Sequence, residues 1–191
     1  LLAITAGIVT TILAILFNFN LRISKSKHSK ILNDFISLGY GVPGLILAIG
    51  ITQFLTNFDL ILSDTGIIVT GSLFGLIFAY VIKSYALTNN VLESNYKQIS
   101  TSIDESARIL GATKFNLLGN IHIPLLKTGI FTSVLLVISE VVKELPATLI
   151  LRPFNFDTLA VTVYTYASEE RIYEAAFPAL LIILIGLIPI Y

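Results

Sequence analysis

Three charged side chains interrupt an apolar stretch of the chain, at Glu140, Lys143 and Glu144. Their spacing puts all three on one face of a helix, where the lysine can pair with both carboxylates. A charge at membrane depth is costly and usually faces protein or a watery cavity. We therefore interpret these residues as candidates for the lining of a polar pathway. The alternative is that the apolar segment ends early and that they lie among lipid headgroups.

The segment 88–127 holds a second group of informative residues, in a connection that is too long to be passive. Ser102–Glu105 have the spacing of a capping box, which predicts a short helix that ends at Gly111. A second short helix is predicted over about 113–121, stopping before Pro124.

The first of these short helices is predicted to carry Ile103, Ala107 and Leu110 on one apolar side. Two short helices joined at a glycine form a rigid projection. A soluble partner can bind this projection and, through it, move the attached segments. A simpler interpretation, compatible with this one, is that Glu105 caps a helix and Gly111 ends one.

Residue types that the chain lacks exclude several chemistries. There is no cysteine, which excludes disulfides and thiolate sites, and with only 2 histidines a histidine-rich metal site is not expected. No phosphate-binding loop of the G-x-x-x-x-G-K-[ST] type occurs, so we do not expect this chain to hydrolyse ATP. We therefore expect a protein that is not an enzyme and that binds no cofactor or metal of its own.

The composition is that of a membrane protein, with 55% hydrophobic and 13% charged residues and a mean hydropathy of +0.87. Soluble domains contain about 25% charged residues. The balance of charge also excludes a basic nucleic-acid binder. About 20 mostly apolar residues span a membrane. The sequence therefore predicts an all-α membrane protein, a polytopic bundle of about five transmembrane helices. These are Leu1–Phe19, Phe35–Leu55, Gly66–Leu87, Thr128–Leu145 and Ala175–Tyr191.

Positive charge concentrates in two of the connecting loops. The loops 20–34 and 88–127 hold most of the 12 lysines and arginines, whereas the other two loops hold only Arg152 and Arg171. Two predicted spans separate the basic loops, so they lie on one side, and the positive-inside rule makes that side cytoplasmic.

The beginning of the second predicted span is broken by Gly39, Gly41, Pro43 and Gly44. Such a break can expose backbone near a transport pathway, and a tolerated kink is equally compatible. The chain has no methionine and opens within an apolar run. We interpret residues 1–191 as one transmembrane domain of a longer protein whose N-terminal part is missing.

The short helices of the loop 88–127 also carry a motif with long, fixed spacing. Glu105-Ser106-Ala107 is followed after three residues by Gly111 and, after nine more, by Ile121-His122-Ile123-Pro124. This spacing resembles the EAA motif of ABC importer permeases: Glu-Ala-Ala, three residues, Gly, nine residues, Ile-x-Leu-Pro. The chain departs from that pattern only at Ser106 and Ile123, and both replacements are mild.

The resemblance implies a permease of the binding-protein-dependent, MetI-like family of type I importers. Its loop would dock on a cytoplasmic ABC ATPase dimer, which binds the ATP and Mg and drives the spans between inward-facing and outward-facing states. Glu105, Ala107 and Gly111 would form the docking helix, and Ile121 and Pro124 would anchor the exit from the loop. The further partners implied are an extracytoplasmic substrate-binding protein, a second permease half or subunit, and the lipid bilayer of the bacterial plasma membrane.

The segments 143–154 and 157–176 look like the C-terminal half of iron(III) ABC transporter permeases, and 39–50 looks like their second span. This resemblance implies ferric iron as the substrate and a second homologous half upstream. Hard oxygen ligands suit ferric ion. The external loop offers several: Asp157, Tyr164, Tyr166, Glu169, Glu170 and Glu174. These acids are equally compatible with a solvated surface or with docking of the binding protein.

Two alternatives stay open. The same permease architecture serves thiamine, polyamines, sulfate and other solutes. From another class, a secondary transporter driven by an ion gradient would use Glu140 and Glu144 as proton sites. Loss of transport on ATP depletion, with the gradient intact, would exclude the second alternative.

Overall fold

The computed structural model describes residues 1–24, 26–66 and 68–190, so Lys25, Ile67 and Tyr191 lie outside the described residues. Within these ranges every regular element is helical. The α-helices in chain order are α1 (Leu2–Ser24), α2 (Lys27–Ser37), α3 (Gly44–Ile61), α4 (Leu73–Gln98), α5 (Thr101–Ile109), α6 (Lys114–Asn116), α7 (Ile123–Leu125), α8 (Lys127–Val142), α9 (Pro146–Leu151), α10 (Leu159–Ser168) and α11 (Ile172–Leu187). Short 3-10 turns cover Leu38–Gly41, Ser63–Thr65 and Ile188–Ile190, and a π-helix covers Leu117–His122.

The centre of the bundle is formed by α1, α4 and α8, which pack against one another, with α3 and α9 alongside. Small residues allow this close approach, because Ala6, Ala48 and Ala79 are fully buried. A Cβ added at Gly7 of α1 would lie 3.2 Å from the carbonyl oxygen of Val134 in α8. These contacts hold α1 against the helices on either side of the loop 88–127.

Two helices, α1 and α3, are long and apolar enough to cross a membrane. A third span results if Lys114–Leu125 and α8 count as one, although the chain bends by 73° between them. The shorter helix α11 is also apolar and contains Pro178. The chain therefore has two or three membrane-length spans by this criterion, and the figure of five stays a prediction.

Several helix boundaries differ from the predicted span boundaries. Helix α3, in the second predicted span, begins only at Gly44, because the glycines and Pro43 before it end α2 in a 3-10 turn. The third helix starts at Leu73 and continues to Gln98, well past the predicted end at Leu87. The fourth ends at Val142.

Candidate functional site

The short helix α5 begins two residues earlier than predicted. Its N-cap is Ser100, whose hydroxyl accepts a hydrogen bond from the amide of Ser102 at 3.3 Å. The predicted capping box from Ser102 to Glu105 is therefore wrong. Glu105 is exposed, whereas Asp104 turns into the protein.

The buried side of α5 is formed by Asp104 and Ala107 rather than by an apolar row. Of the three residues predicted to share one face of this helix, Ala107 is buried, whereas Ile103 and Leu110 are exposed. Leu110 is the C-cap of α5, directly after its last residue, Ile109.

Gly111 ends α5, as the sequence predicts, and its φ of +83° is a left-handed conformation that favours glycine. The amide of Ala112 donates to the carbonyl of Ala107 at 2.9 Å, and the amide of Gly111 donates to that of Arg108 at 3.0 Å. These two hydrogen bonds define a Schellman motif. The glycine joint between the two short helices is thus a sharp and fully bonded turn.

The second short helix extends further than predicted. Thr113 caps α6, a π-helix follows, and α7 carries the helical path through Pro124 to Leu125. Pro124 lies in the first turn of α7, where a missing amide proton breaks no hydrogen bond. The predicted stop before Pro124 is therefore wrong.

A buried ionic network, which the sequence did not reveal, ties this loop to α1. The guanidinium of Arg22 donates from Nε to Oδ2 of Asp104 at 2.6 Å. The other carboxylate oxygen of Asp104 lies 2.9 Å from Nε2 of His122, whose ring is fully buried. The rings of Phe19 and Tyr96 pack edge-on against the imidazole, with centroids 5.3 and 5.5 Å away.

Arg22 also reaches the end of α4. Its Nη1 donates to the carbonyl of Tyr96 at 2.8 Å, and its Nη2 donates to the carbonyls of Ile99 at 2.9 Å and Ser100 at 3.0 Å. One side chain of α1 therefore satisfies the carbonyls at the C-terminal end of α4 and the carboxylate of α5.

Asp104 is ionised over a wide pH range. Burial alone would raise the pKa of its carboxyl, but the hydrogen bonds from Arg22 and His122 outweigh burial and hold the pKa below the ordinary value of 3.8. The two positions of the loop that the network joins, Asp104 and His122, are 18 residues apart in the chain.

The outer end of the loop is apolar and exposed. Ile109, Leu110 and Phe115 are 86%, 87% and 86% exposed, on either side of the Gly111 turn. We call these three residues the apolar tip. Exposed apolar patches of this kind mark interaction sites for proteins or for a membrane.

The residues of the predicted motif divide by burial. Glu105, Ser106 and Gly111 are exposed on the loop surface, and Ala107 is buried behind them. Ile121 is half-buried, whereas Ile123 and Pro124 are exposed. The motif thus includes residues on the surface of the loop and residues that pack beneath that surface.

The three charged residues at the end of α8 and just after it, Glu140, Lys143 and Glu144, do not form one cluster. Lys143 pairs with Glu140 at 2.8 Å on a partly exposed surface. Glu144 is buried and pairs instead with Lys83 of α4. The prediction that Lys143 partners both carboxylates is therefore wrong, because α8 ends at Val142 and the turn carries Glu144 inward.

Glu144 and Lys83 lie where three helices meet. The amide of Ala147 donates to Oε1 of Glu144 at 3.2 Å. A Cβ added at Gly44, at the beginning of α3, would lie 2.7 Å from the same oxygen and 3.1 Å from Nζ of Lys83. The broken start of the second span thus makes room for a buried ion pair. Lys83 is the single charged residue of the predicted span Gly66–Leu87, and this is the sequence signal that points to a buried ion pair.

The acidic residues of the segment after α9 are largely paired with arginines. Arg171 lies 3.3 Å from Glu169 and 3.2 Å from Glu174, and Arg152 pairs with Asp157. Among the described residues, no group of three or more His, Cys, Asp or Glu side chains could hold a metal ion.

Within the described residues, apolar helices of membrane length and a structured polar loop form an architecture typical of helical membrane proteins. Residues 3–191 match the binding-protein-dependent transport system inner membrane component family, and the chain belongs to that family. Members of this family are permease subunits, which are not themselves enzymes.

Two of the three relatives described here have names that state a solute, and the two solutes differ. The Fe(3+)-transport system permease protein FbpB 2 of Haemophilus influenzae is 28% identical over 80% of this chain and 29% of its own length. The probable transport system permease protein NifC of Clostridium pasteurianum is 28% identical over 95% of this chain and 68% of its own length. The putative 2-aminoethylphosphonate transport system permease protein PhnV of Salmonella typhimurium is 26% identical over 84% of this chain and 57% of its own length. The chain therefore spans less than a third of the iron-transport relative.

Proposed function

We propose that this chain is the transmembrane permease part of an ATP-driven importer for ferric iron in a bacterial plasma membrane. A cytoplasmic ABC ATPase dimer would bind the ATP and Mg, an extracytoplasmic binding protein would deliver the substrate, and a second permease half would complete the pathway through the bilayer. The iron assignment is supported by the similarity to the iron-transport relative and by the resemblance of the segments after α8.

The observation that carries the proposal is the construction of the loop 88–127, with an apolar tip outside and a buried ionic network inside. A subunit that pushes on the tip applies force to α5, and the network passes that force to α1 and α4 through Arg22. A loop held only by its two ends would bend instead. In this proposal the loop is cytoplasmic and lies between two of about five spans.

Binding of the ATPase is tested by removing apolar surface from the tip. Leu110→Ser should weaken co-purification of the ATPase with the permease and lower transport, because Leu110 is among the most exposed apolar side chains. The matched control is Phe154→Ser, which removes another highly exposed apolar side chain, outside the loop. Equal ATPase retention in both variants would contradict the proposal.

The substrate is tested with the full permease, its ATPase and its binding protein in proteoliposomes. We expect ATP-dependent uptake of radioactive ferric iron that needs the binding protein, and no uptake on an ion gradient alone. Uptake driven by the gradient without ATP would favour the secondary transporter.

A second candidate substrate is 2-aminoethylphosphonate, favoured by the similarity to PhnV. The same proteoliposomes discriminate between the two, since each solute is offered with its own binding protein. Uptake of the phosphonate without uptake of iron would overturn the iron assignment and leave the permease class intact.

We also propose that Glu140, Lys143 and Glu144 lie beside the transport pathway. The partly exposed pair of Glu140 and Lys143 is the more accessible part of this group. Lys143→Ala should therefore lower uptake at an unchanged protein level. Unchanged uptake would favour a location among headgroups.

A further inference from the structure

We propose that a cleft between α1, α2 and α4 binds the phosphate headgroup of an anionic phospholipid. The cleft has a volume of about 530 Å³ and is lined by charged side chains of all three helices: Arg22, Lys27, Lys30, Asp34, Glu93 and Lys97. The proposal needs the membrane location of the chain, but neither the iron substrate nor the docking of an ATPase.

Of the four cations among the described lining residues, two are already neutralised. Arg22 is paired with Asp104, and Lys97 lies 2.7 Å from Glu93 one helical turn away. The two ion pairs therefore contribute little net charge at the cleft.

The other two cations are available for an anion. Within the described ranges, neither Lys27 nor Lys30 forms an ion pair. Among the described lining residues, Asp34 supplies the one carboxylate outside the two ion pairs, so the cleft keeps an excess of positive charge. A phosphate diester carries one negative charge and strong acceptor oxygens, which match two ammonium groups.

The cleft lies at the end of a helix that is long and apolar enough to cross a membrane. Arg22 belongs to the last turn of α1, a helix of membrane length, and α2 begins at Lys27. Residues at the end of a spanning helix meet the headgroup region. Basic pockets between transmembrane helices are known binding sites for anionic headgroups.

An apolar surface adjoins the basic residues of α2. Ile31 and Phe35 follow Lys27 at intervals of four residues, and they are 58% and 69% exposed. The opposite side of α2 is fixed inward, because the Tyr85 hydroxyl donates to Oδ1 of Asn33 at 2.5 Å. A phospholipid covers both surfaces, with its phosphate at the lysines and an acyl chain along the apolar side. A free phosphate would leave the apolar side in water.

The test uses the full permease complex in nanodiscs that contain equal amounts of dioleoyl phosphatidylglycerol and dioleoyl phosphatidylcholine. Lipids that remain bound after release into the gas phase are counted by native mass spectrometry. We expect at least one phosphatidylglycerol per permease to be retained in preference to phosphatidylcholine. Equal retention of the two lipids would overturn the proposal.

The site is located with the double variant Lys27→Gln/Lys30→Gln. Each lysine near an anionic lipid is worth roughly fivefold in affinity, so the double variant should bind phosphatidylglycerol about 25-fold more weakly. The matched control Lys114→Gln/Lys127→Gln removes two exposed lysines that do not line the cleft. A loss of equal size in the control would overturn the proposal.

A third arm distinguishes the lipid from a soluble phosphate or a protein. Glycerol phosphate at millimolar concentration should not displace the bound phosphatidylglycerol, because it offers no acyl chain. Displacement by glycerol phosphate would show a soluble-anion site. Cross-linking of a cysteine introduced at Phe35 to a second protein chain in the membrane would show that protein covers this side of α2. Either result would overturn the assignment to a lipid, and neither depends on transport activity.

Discussion

Arg22 and Asp104 are 82 residues apart in the chain, yet the guanidinium Nε and the carboxylate Oδ2 lie 2.6 Å apart. Both side chains are largely shielded from water, with 12% and 9% of their surfaces exposed. The same guanidinium donates to three carbonyl groups at the end of α4 and the beginning of α5. The last turn of α1 and the loop 88–127 therefore behave as one unit.

Removing either partner of this pair should destabilise the protein strongly, because the remaining charge would be buried without compensation. Arg22→Met and Asp104→Asn should each lower the free energy of unfolding by about 3 kcal/mol, and the double variant by clearly less than their sum. Thermal and denaturant unfolding followed by circular dichroism in detergent measures these values. Lys97→Met, which breaks an exposed pair, is the control and should cost below about 1 kcal/mol. Additive effects would mean that the pair does not act as a unit.

The stabilisation that the Asp104 carboxylate contributes should be lost at low pH. Its pKa in the folded protein lies below 3.8, so the stabilisation is fully present above that value and is lost as the pH falls through the folded pKa. The difference in unfolding free energy between wild type and Asp104→Asn should thus be constant near neutral pH and shrink below pH 3.8. Hydrogen exchange of the α5 amides provides a local measurement of the same change. A difference that grows as the pH falls would contradict this account.

Gly111→Ala should disturb the joint between the two short helices, since an L side chain at a φ of +83° is strained by about 1 kcal/mol or more. We expect uptake to fall and ATPase activity to respond less to the loaded binding protein, while the protein still inserts. The control is Gly119→Ala in the same loop, where a Cβ meets nothing within 4 Å and the backbone is helical. Equal behaviour of the two variants would show that the turn at Gly111 has no role in coupling.

The two lysine–glutamate pairs near the end of α8 should differ in their contribution to stability. Lys83→Met leaves Glu144 buried and unpaired, and should cost about 3 kcal/mol. Lys143→Met breaks a pair whose lysine is 56% exposed, and should cost below about 1 kcal/mol. Unfolding temperatures of the two variants in the same detergent test this order. A larger effect at Lys143 would contradict the buried location of Glu144.

The helix end at Gly111 is the part of the loop's local structure that sequence signals predict. Gly111 ends a helix because no other residue adopts a left-handed conformation as readily, and that requirement is visible in the sequence. The start of α5 was mispredicted because Ser100 and Ser102 both suit an N-cap, and propensity alone does not choose between them. The exposure of Leu110 could not be predicted, since helical periodicity says nothing once the helix has ended.

Composition and spacing by themselves determined that this chain is a helical membrane protein with a structured polar loop, because membrane spans and motif spacings are read along the chain. The partners of its buried charges were decided only by the tertiary structure. Asp104 meets both Arg22 and His122, and Lys83 meets Glu144, because packing of α1, α4 and α8 brings distant turns together. Burial then makes each unpaired charge costly, so these contacts, rather than helical periodicity, fix how the loop is attached.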